Sequence, residues 1–188
     1  MFENDITSSI KVLEQGGTIL YPTDTVWGIG CDALNENAIS RIFDLKKRPK
    51  EKSMIVLLAE ARDIIQYIAA PPPDIIAILE GFTEPTTVIY KGALGFPAML
   101  TGDDGSIAIR IAGDIFCRSL IKRFRRPLVS TSANLSNMPT PNTFDAIDQY
   151  IIAGCDYVVK YRQDDQTIHK PSRIVRLHDD GCLEILRG

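Results

Sequence analysis

Apolar positions along the chain recur at a helical period in some stretches and fall into short unbroken runs in others, and the changes mark the elements. Ile6, Ile10 and Leu13 repeat at helical spacing behind a candidate cap at Asn4 or Asp5, and Gly16-Gly17 closes that helix. Residues 18–21 form a short apolar run that reads as a buried strand, ended by Pro22, which has no N–H for a ladder. A loop of Thr23, Asp24 and Thr25 follows. Ala38, Ile39, Ile42 and Phe43 then line one helical face behind Asn35, a candidate cap. Pro49 pushes its predecessor out of the α region, so Arg48 is expected to leave the helix and share a pocket with Lys46.

The remaining pattern predicts strands at 53–59, 87–90 and 107–111, with helices at 60–68 and 74–79 between them. A helix at 115–124 carries Ile115, Leu120, Ile121 and Phe124 as its apolar members. Leu128-Val129 starts a strand that runs directly into Ser130-Thr131-Ser132-Ala133-Asn134. A helix at 144–151 and strands at 157–161, 174–177 and 183–186 complete the chain. Strands alternating with helices predict an α/β fold; the short turn Asp179-Asp180-Gly181 makes the last pair antiparallel and the sheet mixed. No linker or internal repeat divides it, so residues 1–188 read as one domain.

Composition narrows the function classes. With 45% apolar and 24% charged residues the chain can bury a full core. The N-terminus has no apolar h-region and no run approaches a membrane span, which predicts a cytoplasmic protein with no membrane partner. Cys31, Cys117, Cys155 and Cys182 are widely spaced, which supports neither a zinc site nor a disulfide framework and reads as four buried apolar residues. His169 and His178 form no ligand-like pair, and no metal is assigned to protein side chains. Thr101 to Ser106, TGDDGS, carries acids in a turn, read as solvated rather than metal-binding.

Three stretches carry candidate chemistry. Gly28-Ile29-Gly30-Cys31-Asp32-Ala33 matches a dinucleotide fingerprint, with Glu51 at the position of a ribose acid, but the glycines neither follow a strand directly nor open a helix. They read as a tight backbone passage. Five of the seven residues from Lys46 to Lys52 are basic, in a chain of net charge -3. Such a knot suits a triphosphate, the C-terminus of a helix with a solvated loop, or RNA phosphates, and spacing alone leaves all three open. Ser130 to Asn134, at the end of a strand, can hydrogen-bond a ligand in a sheet crevice, or form an ordinary Ser/Thr/Asn turn. Neither GxSxG nor a histidine base accompanies it, which disfavours a nucleophilic serine.

YPTDTVWGIGCDA, LKKRP, SIAIRI, PLVSTSANLSN and PSRIV, in that order, resemble the YrdC-like family of L-threonylcarbamoyladenylate synthases over nearly the whole chain. The resemblance implies a twisted mixed sheet with flanking helices around a large, positively lined cavity. It implies a nucleotidyl transfer in which L-threonine, bicarbonate and ATP, with magnesium, give threonylcarbamoyl-AMP and pyrophosphate. Downstream transfer proteins would use the product to make the threonylcarbamoyladenosine of tRNAs. By the same resemblance Lys46 and Arg48 are catalytic, and Arg48, Lys52, Ser106, Ser132, Asn134, Thr140 and Arg187 hold the ATP. Thr25, Arg110, Ser130 and Ser172 contact threonine. The alternative is a non-catalytic paralogue that binds double-stranded RNA or a nucleotide. The chain departs from the family pattern at Lys52, at Leu57, at Phe82 to Thr87, and at Arg173 and Arg176, and with Gly188 as its last residue the resemblance is expected to be to the short, single-domain form, without the extra C-terminal domain of longer relatives.

Overall fold

The computed structural model describes residues 2–49, 54–178 and 181–188; Lys50 to Ser53, and the Asp179-Asp180 pair expected in the last turn, lie outside the described residues. The elements run α1 (Glu3–Glu14), β1 (Ile19–Tyr21), β2 (Gly28–Asp32), α2 (Glu36–Lys46), β3 (Ile55–Leu58), α3 (Ile75–Glu80), β4 (Thr86–Tyr90) and β5 (Ile107–Ile111). They continue with α4 (Ile115–Phe124), β6 (Leu128–Ser132), α5 (Gln149–Gly154), β7 (Tyr157–Val158), β8 (Arg173–Leu177) and β9 (Leu183–Arg187). The strands form one sheet in the order β7-β1-β2-β6-β3-β5-β4-β8-β9. The pairs β1/β7, β3/β5 and β4/β8 are parallel and the others antiparallel, so the sheet is mixed, as the pattern predicts. No helix among the described residues is long and apolar enough to cross a membrane.

Local chemistry sets the helix ends. Asn35 caps α2, its Oδ1 accepting from the Ala38 N–H at 3.1 Å. The helix stops at Lys47, which turns left-handed (φ 48°) so that its N–H reaches the Asp44 carbonyl and the Arg48 N–H reaches that of Phe43. Arg48 therefore leaves the helix as expected, through the turn at Lys47 ahead of Pro49. Asp114 caps α4 through the Cys117 N–H at 3.0 Å.

Several expectations are corrected. Neither Asn4 nor Asp5 caps α1, whose N-terminus has no side-chain cap. Asp5 instead turns inward, accepting from the Tyr157 hydroxyl and from the N–H groups of Lys160 and Tyr161. Ile115 is 63% exposed, and the buried stripe of α4 is Phe116, Cys117, Leu120, Ile121 and Phe124. The stretch 60–68 is a 3₁₀ turn, Ala61–Gln66, opened by reciprocal Glu60 and Asp63 caps, and 144–151 is divided between a 3₁₀ turn, Phe144–Ala146, and α5. The strand expected at 157–161 has two residues. Cys31 and Cys117 are buried, but Cys155 is half-buried and Cys182 exposed. The glycine passage is tight, as expected, but it is also β2, a fully buried inner strand that the apolar pattern does not predict.

The register gives the sheet a functional face. Gly28 lies opposite Ser132, Gly30 opposite Ser130, Ser130 opposite Ile55, Leu57 opposite Arg110, Arg110 opposite Thr87, Thr87 opposite Ile174, and Ile174 opposite Arg187. Directly paired residues share a face, so all of these stand on one side. Over Ile19, Tyr21, Leu57 and Leu128 that side is covered by the apolar faces of α1 and α4. Beyond them it is open. The opposite side, with Ile29, Val56, Val88, Ile109 and Val129, packs on α2 and α3 in the larger core.

Gly30 is required by packing, because a Cβ there would meet the Val129 carbonyl oxygen at 2.6 Å and Tyr21 Cε1 at 2.7 Å. A backbone oxygen in an inner strand cannot step aside. Gly30→Ala is expected to lower unfolding stability by about 1–3 kcal/mol, the range for an overpacked core, read as a lower denaturant midpoint at unchanged slope.

Candidate active site

The uncovered part of the functional face is the floor of a cavity of about 350 Å³. Arg48, Arg110 and Arg187 supply its charge, Thr25, Ser130, Ser132, Thr140 and Ser172 its hydroxyls, and Ile55, Ile89, Ala108 and Ile174 an apolar strip; no Asp or Glu is among its described lining residues. A concave, cationic, hydroxyl-lined site without carboxylates suits an anion.

Arg110 is the most constrained of these groups. It is 4% exposed, donating Nη1–H to Thr25 Oγ1 at 3.0 Å while Nη2 lies 3.2 Å from Asp24 Oδ1. Asp24 is itself held by the Gly113 N–H at 3.0 Å, and Thr25 by Thr23, whose Oγ1 accepts from the Thr25 N–H at 3.0 Å. Arg110 Nε is buried with no hydrogen-bond partner among the described residues. Across the cavity the Ser172 and Thr87 hydroxyls meet at 2.8 Å, and Arg187 donates to the Ser172 carbonyl at 2.7 Å.

Of the residues expected from the sequence, the cavity gathers Thr25, Arg48, Arg110, Ser130, Ser132, Thr140, Ser172 and Arg187. Lys46 is not on its surface. It is 1% exposed, and its Nζ donates to the carbonyls of Ser132 and of Asn134, the latter at 2.6 Å. The expectation that Lys46 and Arg48 share one pocket is thus corrected: the left-handed turn at Lys47 sends Arg48 to the cavity and leaves Lys46 beneath the Ser132–Asn134 loop. Asn134 lines an adjoining hollow of about 500 Å³ that also touches Thr140, its Nδ2 donating to the Met138 carbonyl at 2.6 Å. Ser106 sits outside the cavity in the TGDDGS turn, where its N–H is accepted by Asp104 Oδ1 at 3.0 Å. Lys52 lies outside the described residues.

Two of the family departures answer each other. The Arg173 guanidinium lies 5.4 Å from the Phe82 ring centroid and pairs with Glu84 at 3.3 Å. Leu57 is fully buried against α1 and α4. Asp24 and Thr23, which set Arg110, carried no sequence signal beyond their place beside Thr25.

Burial, with the Arg48 guanidinium close by, pushes the Lys46 ammonium from its ordinary 10.5 down to about 7. A neutral amine still has two N–H groups for its two carbonyls. Between about pH 7 and the ordinary lysine value the unfolded chain holds this proton and the folded chain sheds it, so stability rises with pH. Above 9.0 the trend reverses, because burial raises the Cys31, Cys117 and Cys155 thiols. Melting temperature is expected to rise from pH 7 to 8.5, with the slope flattened in Lys46→Met.

No group of three or more His, Cys, Asp or Glu side chains that could hold a metal occurs among the described residues. A magnesium ion would have to enter on the phosphates of a ligand, which the guanidinium groups would hold, and the Ser and Thr hydroxyls are the side-chain oxygens that the lining could offer it.

The model of the Sua5/YciO/YrdC family, described as telomere recombination, matches residues 11–188. A threonylcarbamoyl-AMP synthase of Xanthomonas campestris pv. campestris (strain B100) is 35% identical over 158 residues, 82% of this chain and 84% of the relative. One of Xanthomonas oryzae pv. oryzae (strain PXO99A) is 32% identical over 185 residues, 97% of this chain and 96% of the relative. The crystal structure of P. abyssi Sua5 complexed with L-threonine superposes with a TM-score of 0.85 at 24% identity, covering 98% of this chain and 54% of that one. At that identity the likeness is one of fold, and the chain spans about half the length of that Sua5.

Proposed function

The chain belongs to the Sua5/YciO/YrdC family, and from that premise we propose that it is a threonylcarbamoyl-AMP synthase, a nucleotidyltransferase that joins L-threonine, bicarbonate and ATP. The relatives that carry this name match most of the chain, and the Sua5 structure of the same fold is described with L-threonine. The observation that carries the reading in this molecule is Arg110. A guanidinium with two nitrogens fixed by Thr25 and Asp24, and a buried Nε left over, is prepared for a small carboxylate.

The chemistry brings anions together. The threonine nitrogen takes up carbon dioxide derived from bicarbonate and loses a proton, giving a carbamate. A carbamate oxygen then forms a bond to the α-phosphorus as the bond to the pyrophosphate oxygen breaks. Cations that offset the repulsion and fix the line of attack supply most of what such a reaction needs, without a protein nucleophile. Arg48 and Arg187 border the cavity for the phosphates, Ser130 and Ser172 bracket the amino acid, and Lys46 holds the Ser132–Asn134 loop from beneath. Magnesium bound to the triphosphate supplies charge neutralisation at the leaving pyrophosphate. The product would pass to transfer proteins that modify tRNA in the cytoplasm.

The test is a search by mass spectrometry for threonylcarbamoyl-AMP after incubation with L-threonine, bicarbonate and ATP, with pyrophosphate release followed in parallel. Release is expected only with all three present. Pyrophosphate release indifferent to threonine would exclude the synthase reading.

A further inference from the structure

We infer that Arg162 is a positioning residue for the threonine end of the cavity, acting through the loop that holds Arg110; for its effect on turnover this rests on the synthase reading above. Arg162 is a non-glycine residue in the left-handed region, with φ 64°. An arginine held there is strained, and such strain persists only where surrounding contacts over-determine it. The contacts are present. The guanidinium donates to Asp114 Oδ2 at 2.9 Å, to Asp165 Oδ2 at 3.1 Å and to the Thr23 carbonyl at 3.3 Å, and the side chain is 21% exposed.

These three acceptors belong to different parts of the fold. Asp114 caps α4, Asp165 belongs to the segment after Arg162, and Thr23 begins the loop whose Thr25 hydroxyl accepts from Arg110. The loop lies between two bodies. On one side Thr23 and Thr25 face the substrate cavity; on the other they face a pocket of only about 10 Å³ closed by Arg162 and Asp165. Arg162 therefore backs the loop from behind. Its own base is fixed, because the preceding Tyr161 donates its N–H to buried Asp5 at 3.0 Å and stacks on Phe116 at 5.9 Å.

A backing group of this kind changes where Arg110 can stand without touching the substrate. Losing it widens the range of positions of the Thr25 hydroxyl, and carboxylate recognition weakens while the phosphate end is untouched.

Arg162→Gly separates this role from folding, since glycine adopts the left-handed backbone freely. The threonine KM is expected to rise about tenfold with kcat within about twofold and ATP KM unchanged, the size of one lost charge-assisted contact. Amide exchange in residues 21–28 is expected to speed up by about the same factor. Arg162→Lys, which keeps a cation but not the fork, is expected to fall between. Asp114→Asn serves as a second variant, because asparagine caps a helix as well as aspartate and only the charge facing Arg162 is removed; it is expected to move the same two readouts. Unchanged exchange at 21–28 in both Arg162→Gly and Asp114→Asn would overturn the inference, as would an unchanged threonine KM. If the native chain shows no threonine-dependent turnover the synthase reading falls, and the exchange measurement still decides whether Arg162 holds the loop.

Discussion

Lys46→Ala is expected to lower threonine-dependent pyrophosphate release by about 10³-fold or more, the largest loss from any single replacement in this site, with Arg48→Ala costing about 10²-fold. The two losses have different origins. Arg48 faces the cavity, where a cation offsets charge on the phosphates. Lys46 is buried and acts on the Ser132–Asn134 loop through two backbone carbonyls. Alanine leaves both carbonyls without their donor and leaves a cavity where a long side chain was, so the loop loses its position as well as a charge. Pyrophosphate release at saturating substrates measures the loss, with a thermal melt alongside to separate misfolding. Exchange at Ser132 to Asn134 should rise in Lys46→Ala and stay unchanged in Arg48→Ala. Turnover within about fivefold of native in Lys46→Ala would show that the loop holds itself.

Arg110→Lys is expected to raise the threonine KM by about 10- to 100-fold, corresponding to roughly 1.5–3 kcal/mol for hydrogen bonds to a charged group, while ATP KM stays near native. Lysine retains the charge beside Asp24 and so avoids leaving a buried carboxylate unpaired. What it loses is the fork: one ammonium cannot hold Thr25, face Asp24 and offer a further donor in the plane of a carboxylate. Steady-state titration of threonine and of ATP separates the two ends. A change confined to ATP would assign Arg110 to the nucleotide and reverse the orientation of the substrates.

Much of the molecule was legible in the sequence where local physics decides. The apolar stripe of α2 and its Asn35 cap were read correctly, because both depend on residues within one turn of each other. So was the strand that becomes β5, an apolar run broken only by Arg110, with burial at Ile107, Ile109 and Arg110. The glycines of the dinucleotide fingerprint do form a tight passage, but the strand they belong to is not legible locally. Two glycines weaken a strand by propensity, and nothing local shows that Tyr21 and Val129 occupy the space a Cβ would need at Gly30. Ile115 was misplaced for a related reason: Ile115 and Phe116 are both apolar, and only packing against α1 and the sheet chooses between them.

The candidate site divides along the same line. Residue types were readable: arginines for anions, hydroxyls for hydrogen bonding without bulk, a loop departing from a helix near Pro49. By itself the sequence determined most of the elements, the Asn35 cap and the residue types that line the cavity. Tertiary structure alone decided which groups meet. Strand register, a relation between residues far apart in the chain, put Gly28, Ser130, Arg110, Thr87, Ile174 and Arg187 on one face. One left-handed residue, Lys47, turned Arg48 to the cavity surface while the neighbouring Lys46 stayed buried. Arg162 became a support for the threonine loop only because Asp114 and Thr23 lie within its reach. Periodicity and propensity act over a few residues, whereas a site is made of contacts that close across the whole sheet, and such contacts exist only once the chain has folded.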